Sequence, residues 1–255
     1  MKKENPDQEL EECIQSLFEE HDGNYGYRRI QLSLKQRGLI VNHKKIQRIM
    51  NKLGLKCNKF SRKSRKYSSY KGTIGTIAKN RINRRFYTNV CYQKLTTDIT
   101  EFKCLDGRKL YLNPIMDMFN REVISYGISM RPTLELALKP LEKALEIVKE
   151  SKYRTTIHSD QGWHYQHNSW IKTLKKHRVF QSMSRKGNCL DNSPMENFFG
   201  LLKQEMYYGK ARCSFEELKK RIEEYIIYYN NKRIKQKLAG MSPVQYRIHS
   251  SQLAA

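Results

Sequence analysis

The sequence predicts an α/β protein in which helices flank a mixed sheet and a small helical domain precedes it. From about residue 90, three consecutive segments are rich in β-formers, at 94–102, 110–118 and 122–129. Helices predicted over 134–148, 169–176, 193–207 and 215–230 then alternate with short strands predicted at 155–158 and 179–182, which is typical of a mixed sheet layered with helices. The 255 residues leave room for one such domain and a smaller unit, since domains usually span about 100 to 150 residues.

The first 55 residues predict three short helices. Apolar residues recur at helical spacing over 8–20 and again over 27–37, where Gly38 ends the second helix. Asn42 can cap a third helix, which Gly54 ends. The inner face of this helix is expected to carry Ile46, Ile49 or Met50, and Leu53.

The outer face of the third helix carries Lys44, Arg48 and Asn51. Two short helices, of which the second is basic and bears an amide, resemble a helix-turn-helix that places this face in a DNA major groove. The alternative is a small helical module that binds another protein, because short helix pairs are common.

Basic charge is concentrated in one stretch of the chain. Between Gly23 and Thr97 there is no Asp or Glu, and the stretch contains 20 Lys and Arg, which accounts for +20 of the net charge of +24. Such a segment attracts a polyanion, and its side chains can displace counterions from phosphates. Nucleic acid is therefore the expected partner, with a solvated basic surface or a lipid-surface segment as the alternative.

Residues 59–87 are expected to form a basic linker along the DNA backbone, since they show little apolar periodicity. The nucleic-acid contacts expected here are Arg62, Lys63, Arg65 and Lys66.

The cellular compartment follows from what the sequence does not contain. No apolar run reaches the ~20 residues of a membrane span, and the acidic N-terminus lacks a signal-peptide core. The six cysteines lie far apart without any C-x-x-C pair, which predicts free thiols and no structural zinc. We expect a cytoplasmic protein without a membrane partner.

Three carboxylates are the candidate catalytic groups. Asp98 lies within a strand pattern, Asp160 follows a short strand, and Glu196 lies in the first turn of a predicted helix. Each has a structural alternative: a surface position on an edge strand for Asp98, an Asx turn for Asp160, and a capping box that begins at Ser193 for Glu196.

Other acids are weaker candidates. Glu101 lies an odd number of residues from Asp98 and is expected on the opposite strand face. Asp191 is expected to be a turn residue that could orient its loop, and it is the next carboxylate to test. Asp117 and Glu122 are expected in turns or at the surface.

The spacing and the motifs together resemble a known family. There are 35 residues between Asp160 and Glu196, and Lys203 follows seven residues after Glu196, two helical turns along the same face. The motifs that carry the resemblance are NYGYRRI (24–30), TDITEF (97–102), DMFNREVISY (117–126), HSDQG (158–162), GNCLDNSPMENFF (187–199), YYNNKRI (228–234) and MSPVQY (241–246). In this order, over roughly residues 20–247, they resemble DDE transposases of two-reading-frame insertion sequences, the second-frame products with a retroviral-integrase catalytic core.

The resemblance implies a fold and a chemistry. It implies an RNase H-like core in which Asp98, Asp160 and Glu196 hold two Mg²⁺ or Mn²⁺ ions, with Asp98 bridging both, while Lys203 binds a DNA phosphate. Hard oxygen ligands suit these ions. The implied activity is cleavage and strand transfer at insertion-sequence ends, by a homo-oligomer on end and target DNA. The upstream-frame protein, or a fusion with it, is a further implied partner, and the bacterial nucleoid is the expected location.

The domain boundaries expected from the sequence follow the same pattern. They are a lead-in helix at 1–20, a helix-turn-helix domain at 21–58, the linker at 59–87, a catalytic core with a helical tail at 88–247, and a tail at 248–255. A related nuclease or a regulator that only binds DNA remains an alternative function. A nuclease would lack the matching helix-turn-helix and tail, and a regulator would not explain three carboxylates.

Overall fold

The computed structural model describes residues 5–57, 75–149, 151 and 153–253. The four linker residues expected to contact DNA, Arg62, Lys63, Arg65 and Lys66, lie outside the described residues. The chain divides into two compact units, one formed by Met1–Ser64 with Arg233–Ser242 and the other by Arg65–Lys232 with Pro243–Ala255.

Among its described residues, the first unit contains the α-helices α1 (Gln8–Glu20), α2 (Tyr27–Gln36) and α3 (His43–Lys52). The Asn42 side chain accepts a hydrogen bond from the Lys44 backbone N–H at 2.9 Å, which confirms the predicted cap of α3. The apolar faces of all three helices meet in one core, formed by Ile14, Leu17, Ile30, Leu34, Ile46, Ile49 and Met50.

A segment from far along the chain completes this core. Ile234 is buried among the residues of the three helices, and its backbone N–H donates to the Tyr25 hydroxyl at 2.9 Å. A short 3-10 helix, Gln236–Leu238, follows, and the Gln36 side chain donates to the Gly240 carbonyl at 2.8 Å. The unit therefore differs from the expected boundaries, because both α1 and residues 233–242 belong to it.

The second unit is built on a six-stranded sheet. Its strands are β1 (Lys94–Thr97), β2 (Thr100–Lys103), β3 (Lys109–Asp117), β4 (Val123–Ser129), β5 (Thr156–Ser159) and β6 (Phe180–Met183). β3 pairs antiparallel with β4, β1 and β2, whereas β5 pairs parallel with both β1 and β6. This is the mixed sheet that the sequence predicts.

The strand predicted over 94–102 is interrupted. β1 and β2 keep one register against β3, because Thr97 pairs with Ile115 and Thr100 pairs with Leu112. The two strands therefore lie end to end along the same edge of β3, and Asp98 and Ile99 form the interruption between them. Asp98 lies beyond the end of β1 and not inside a strand.

The helices of this unit are α4 (Leu134–Val148), α5 (Trp163–Gln166), α6 (Asn168–Lys176), α7 (Ser193–Leu202), α8 (Phe215–Asn231) and α9 (Pro243–Leu253). A 3-10 turn, Cys189–Asn192, precedes α7, and a π-helical turn, Lys203–Tyr207, follows it. The helix expected over 193–207 therefore changes its winding at Lys203.

Helices cover both faces of the sheet. On one face, residues of α7 and α8 such as Phe198, Leu202 and Ile222 join Phe102 and Met116 in one buried cluster. On the other face, a second cluster joins strand residues to α4 and α6 through Leu95, Ile157, Leu141, Leu145 and Trp170. Neighbouring strand residues alternate between these clusters, since successive side chains point to opposite faces.

Helix α9 is anchored by a polar cluster at the end of β3. Arg247 donates to both carboxylate oxygens of Glu122, at 2.7 and 3.1 Å, and the Asn120 amide donates to the Pro243 carbonyl at 2.9 Å. Asp117 accepts backbone N–H groups of Tyr92 and Phe119. Asp117 and Glu122 flank the turn at 118–120, as the turn alternative expected, but the surface alternative is wrong because both are buried. Their polar atoms have partners there, as buried polar groups usually do.

Within the described part of the chain, no helix is both long and apolar enough to cross a membrane. Five cysteines in that part are free thiols, which are Cys13, Cys57, Cys91, Cys104 and Cys213, as predicted for them.

Candidate active site

The sheet brings two of the three candidate carboxylates side by side. β1 and β5 are parallel neighbours in which Thr96 lies opposite His158. Continued by two residues, the same register places Asp98 beside Asp160, each one residue beyond the end of its strand. The carboxyl ends of adjacent parallel strands are where functional groups commonly gather in α/β sheets.

Glu196 approaches the same place from helix α7. Its charge raises the pKa of Asp98, so it lies within electrostatic range of that carboxylate, and its side chain is exposed. The structure therefore places Asp98 and Asp160 side by side, with Glu196 within electrostatic range of Asp98.

Burial raises the pKa of both aspartates, and like charge adds to this shift at Asp98. Burial raises the pKa of Asp98 well above its usual range, and the charges of Asp160 and Glu196 raise it further, while the Ile99 N–H and Lys203 oppose the shift. Burial also raises the pKa of Asp160, against a hydrogen bond from the Gly162 N–H. Two carboxylates held in this way carry an excess of negative charge that a cation relieves.

One oxygen of each aspartate is fixed by the backbone. Asp98 Oδ1 accepts the Ile99 N–H at 2.7 Å, and Asp160 Oδ1 accepts the Gly162 N–H at 2.8 Å. A Cβ atom at residue 162 would lie only 2.9 Å from that Asp160 oxygen, so the close approach needs glycine. The Asx turn expected at Asp160 is present, and it leaves the second carboxylate oxygen for another ligand.

A buried tyrosine lies next to the two aspartates. Burial raises the pKa of Tyr165 well above its usual range, and the charges of Asp98 and Asp160 add to this effect. Its hydroxyl donates to Asn113 Oδ1 at 3.1 Å, and the Thr97 hydroxyl donates to the same oxygen at 2.7 Å. Tyr165 therefore remains a neutral, fixed neighbour of the carboxylates, a role that the sequence analysis missed.

Asn192 connects helix α7 to strand β1. Its Oδ1 accepts the Thr96 hydroxyl at 2.5 Å and its Nδ2 donates to the Thr97 carbonyl at 3.2 Å. Asn192 directly precedes α7 and is buried, so these bonds hold the start of the helix against the strand that ends at Asp98. This position was also missed, although the residue lies inside the motif at 187–199.

The capping-box alternative for Glu196 does not match the start of α7. Ser193, the expected cap, has helical backbone angles and is the first residue of the helix. Asn192 precedes it and makes no side-chain capping bond, since its amide binds β1. Counted from Asn192, Glu196 lies one position beyond the site that a capping box uses.

Asp191 lies in the turn before α7, as expected, but it is buried there and its carboxylate is engaged. It is fully buried in the 3-10 turn, where its carboxylate forms ion pairs with Arg84 and Arg185, each at 2.9 Å, and accepts the Asn80 amide at 3.2 Å. The Arg185 side chain, first among several donors, holds the pKa of Asp191 below its usual range. With both oxygens engaged, Asp191 orients the loop before α7.

His158 supports the same loop from the sheet. Its Nδ1 lies 2.8 Å from the Ser182 hydroxyl, and its Nε2 lies 2.9 Å from the Asp191 carbonyl. Burial lowers the pKa of His158 to about 4. The imidazole is therefore neutral at neutral pH and ties β5 and β6 to the turn that precedes α7.

The residues present fit a hard divalent cation by donor chemistry and by charge. Carboxylate oxygens are the ligands that Mg²⁺ and Mn²⁺ prefer, and the negative charges of Asp160 and Glu196 both act on the buried Asp98 carboxylate. Among the described residues, however, no three His, Cys, Asp or Glu side chains converge into a complete metal-binding group. Repulsion among three anions opposes that convergence.

Lys203 lies at the first residue of the π-helical turn, close enough to Asp98 for its charge to oppose the rise in that pKa. Its ammonium lies 5.1 Å from the centre of the Phe102 ring.

The predicted DNA-reading residues of the first unit lie on the outside of α3. Lys44, Arg48 and Asn51 are exposed there. Arg48 also forms an ion pair with Asp7 at 3.2 Å, and Lys52 pairs with Glu11 at 2.6 Å. The acidic start of α1 therefore shares part of the basic surface of α3, which the sequence did not indicate.

The fold and the site define an integrase-core protein with a helix-turn-helix unit. An HTH-like domain model matches residues 5–64, and two integrase core domain models match residues 91–189 and 196–250. The fold is shared with a chain from the structure of the simian T-cell lymphotropic virus intasome in complex with PP2A regulatory subunit B56 gamma. That likeness has a TM-score of 0.53 at 15% identity and covers 85% of this chain and 69% of that one.

Curated relatives give the family. InsK of insertion sequence element IS150 from Escherichia coli (strain K12) is 44% identical over 239 residues, which cover 94% of this chain and 83% of InsK. A transposase-like protein of Haemophilus influenzae is 50% identical, over 82% of this chain and 94% of that protein. Transposase InsF of IS3A, from the same E. coli strain, is 31% identical over 94% and 82% respectively. The chain belongs to the family of insertion-sequence transposases with an integrase core, as the resemblance indicated.

Proposed function

We propose that this transposase cleaves phosphodiester bonds at insertion-sequence ends and joins the freed 3′ ends to target DNA, with Asp98, Asp160 and Glu196 as its catalytic carboxylates. The main support is the register that places Asp98 beside Asp160 at the ends of parallel strands, with the Glu196 charge acting on the same group.

Each carboxylate has a defined part in this proposal. Asp98 and Asp160 present their second oxygens to the divalent cations, and Glu196 turns from its exposed position toward the strand ends to complete the ligand set. Two Mg²⁺ or Mn²⁺ ions, when bound, activate the attacking oxygen and stabilise the leaving oxygen of an in-line displacement. Lys203 binds a phosphate oxygen of the DNA strand that lies across the carboxylates.

The first unit positions the DNA. Lys44, Arg48 and Asn51 contact the transposon end from the exposed face of α3, and the linker residues Arg62, Lys63, Arg65 and Lys66 contact the backbone. Base contacts specify a sequence, whereas phosphate contacts position it. Arg48 exchanges its ion pair with Asp7 for a DNA contact when the end binds.

The partners belong to the same proposal. Two transposon ends and a target must meet, so the active species is a homo-oligomer on DNA in the bacterial cytoplasm, at the nucleoid. The product of the upstream reading frame, joined to this chain or separate, contributes further recognition of the ends.

A strand-transfer assay with Mg²⁺ and labelled end DNA tests the chemistry. Asp98→Asn, Asp160→Asn and Glu196→Gln should each abolish joined products while DNA binding persists, because a neutral amide is a poor ligand for Mg²⁺. Glu224→Gln is the matched control, since it removes one negative charge from an exposed helical position on α8. Joined products from Glu196→Gln at the parental rate would exclude this residue, and nicked DNA without joined products from the parent chain would favour a nuclease.

A further inference from the structure

A groove is lined by Lys203, whose charge also acts on Asp98. It encloses about 450 Å³, and its lining includes Phe102, Lys103, Lys203, Tyr208, Lys210 and Arg212. We refer to these six residues and the space between them as the basic groove. Four of the six are cationic and two are aromatic.

The π-helical turn shapes this groove. After α7 the backbone widens at Lys203–Tyr207, and the Tyr208 N–H donates to the Lys203 carbonyl, five residues back, at 2.7 Å. π-helical turns often occur at functional sites. Here the turn ends the helix that carries Glu196 and places Lys203 and Tyr208 at one groove.

Contacts hold the aromatic part of the groove in place. The Tyr207 ring packs edge-on against Phe102 at 5.2 Å, and the Tyr207 hydroxyl both donates to the Lys103 carbonyl and accepts the Lys103 N–H, at 3.1 Å each. Tyr208 packs against Tyr207 at 5.6 Å, and 40% of its surface is exposed. The groove therefore presents part of an aromatic side chain on a fixed backbone.

The charge of the groove is positive. Glu101, the acidic residue of the groove lining, forms an ion pair with Lys109 at 3.0 Å. Within the described part of the chain, no carboxylate forms an ion pair with Lys103, Lys210 or Arg212. Three exposed cations that are not neutralised by acids favour an anionic ligand.

We infer that the basic groove binds an unpaired DNA strand as it leaves the carboxylates, with Lys103, Lys210 and Arg212 on successive phosphates and Tyr208 against a base. Positive grooves with aromatic platforms are how proteins hold single strands without reading their sequence. The inference rests on the proposed function, because it continues the strand whose phosphate Lys203 holds.

Binding measurements separate an unpaired strand from a duplex. Fluorescence anisotropy of the full chain in EDTA compares a blunt duplex with the same duplex carrying a single-stranded thymine extension. The double variant Lys210→Gln/Arg212→Gln should weaken binding of the extended DNA about tenfold and binding of the blunt duplex less than twofold. The slope of log affinity against log salt for the extended DNA should also fall by about 1.4, the value for two lost single-strand phosphate contacts.

Tyr208 and a charge control complete the experiment. Tyr208→Ala should weaken binding of the extended DNA about fivefold or more, whereas Tyr208→Phe should retain it, because base stacking needs the ring and not the hydroxyl. Lys139→Gln/Lys143→Gln removes two charges from exposed positions of α4, on the opposite sheet face, and should change neither affinity more than twofold.

Equal weakening of blunt and extended DNA by the groove variants would overturn the inference in favour of a duplex contact. An effect of the α4 control as large as that of the groove variants would overturn the inference as well, because the lost overall charge would then explain the weaker binding. If the parent chain joins DNA in Mg²⁺ but the groove variants bind both DNAs normally, the groove inference alone fails. If the contrast between the two DNAs appears but the parent joins no DNA, the proposed chemistry fails and the groove stands.

Discussion

Replacement of Asn192 by Ala tests whether the contact between α7 and β1 positions Glu196 for catalysis. The substitution removes the acceptor of the Thr96 hydroxyl and the donor to the Thr97 carbonyl, both in a fully buried place. An unsatisfied buried polar group costs about 1–3 kcal/mol. For two such groups we expect a loss of about 2–6 kcal/mol in the free energy of unfolding, and a lower Tm.

Strand transfer should fall by more than stability explains. Asn192 directly precedes α7 and holds the start of this helix, which carries Glu196. A displacement of about 1 Å at a catalytic group can cost about 100-fold in rate. The assay is strand transfer at a temperature well below the Tm of the variant, with DNA affinity measured alongside. Affinity should stay within about threefold of the parent, so that the loss appears in the chemical step.

A control and a double-mutant cycle make the result specific. Asn188→Ala removes an asparagine of the same loop that binds Arg84 and does not contact β1, and it should retain most activity. Thr96→Val combined with Asn192→Ala should give a coupling energy of about 1 kcal/mol for the shared hydrogen bond. If Asn192→Ala loses stability but transfers strands within twofold of the parent, the amide has a structural role only and the reasoning is refuted.

Three further predictions concern other parts of the molecule. Gly162→Ala should reduce strand transfer at least about tenfold, because the added Cβ would lie 2.9 Å from Asp160 Oδ1. Gly200→Ala is the control in the same assay and should leave activity unchanged, because a Cβ added there would meet nothing within 4 Å. Asp98→Asn should raise the free energy of unfolding in EDTA by at least about 1 kcal/mol, because burial and the charge of Asp160 raise the pKa of this carboxyl and so penalise its ionised form. This penalty of ionised Asp98 in the parent is complete above the folded-state pKa, and it disappears as the pH falls below the ordinary aspartate range. The gain in Tm of Asp98→Asn should disappear with it, and a gain that persists in acid would contradict this reasoning. Ile234→Ala should destabilise the first unit by about 2–5 kcal/mol, which would appear as faster hydrogen exchange in α1–α3 while the amides of the sheet exchange as before. Ile248→Ala, at an exposed position, is the control and should change the exchange of neither the helices nor the sheet. Unchanged exchange in α1–α3 of Ile234→Ala would show that this side chain is dispensable.

Periodicity predicted most of the elements because it reports which faces are buried. α4 has the predicted bounds, and the strands around residues 110–118, 122–129 and 155–158 were placed within a residue or two. The break at Asp98 was not predicted, since β1 and β2 keep one register and an uninterrupted pattern hides a local loss of pairing. The change to π-helical winding at Lys203 was hidden for the same reason.

The residues of the site also differ in how well a local sequence pattern predicts them. The three carboxylates could be selected from their spacing and motifs, because residues that carry chemistry are fixed in type. Long-range hydrogen bonds define the parts of Asn192 and Tyr165, whose partners lie 96 and 52 residues away in the sequence. His158 acts in the same way through nearer partners in β6 and the 3-10 turn. No local pattern reports such bonds. Asp191 shows the same difficulty, because only the fold brings Arg84 to it.

The segment at residues 233–242 gives the first unit a dependence on the order of synthesis. The ribosome finishes α1, α2 and α3 long before it reaches Ile234, which is buried in their shared core. The helices must therefore wait for nearly the whole chain before that core closes. A product that stops after residue 232 lacks 23 of the 255 residues, yet it loses part of the core at its opposite end. Chains cut short by a nonsense codon would thus carry a weakened helix-turn-helix unit.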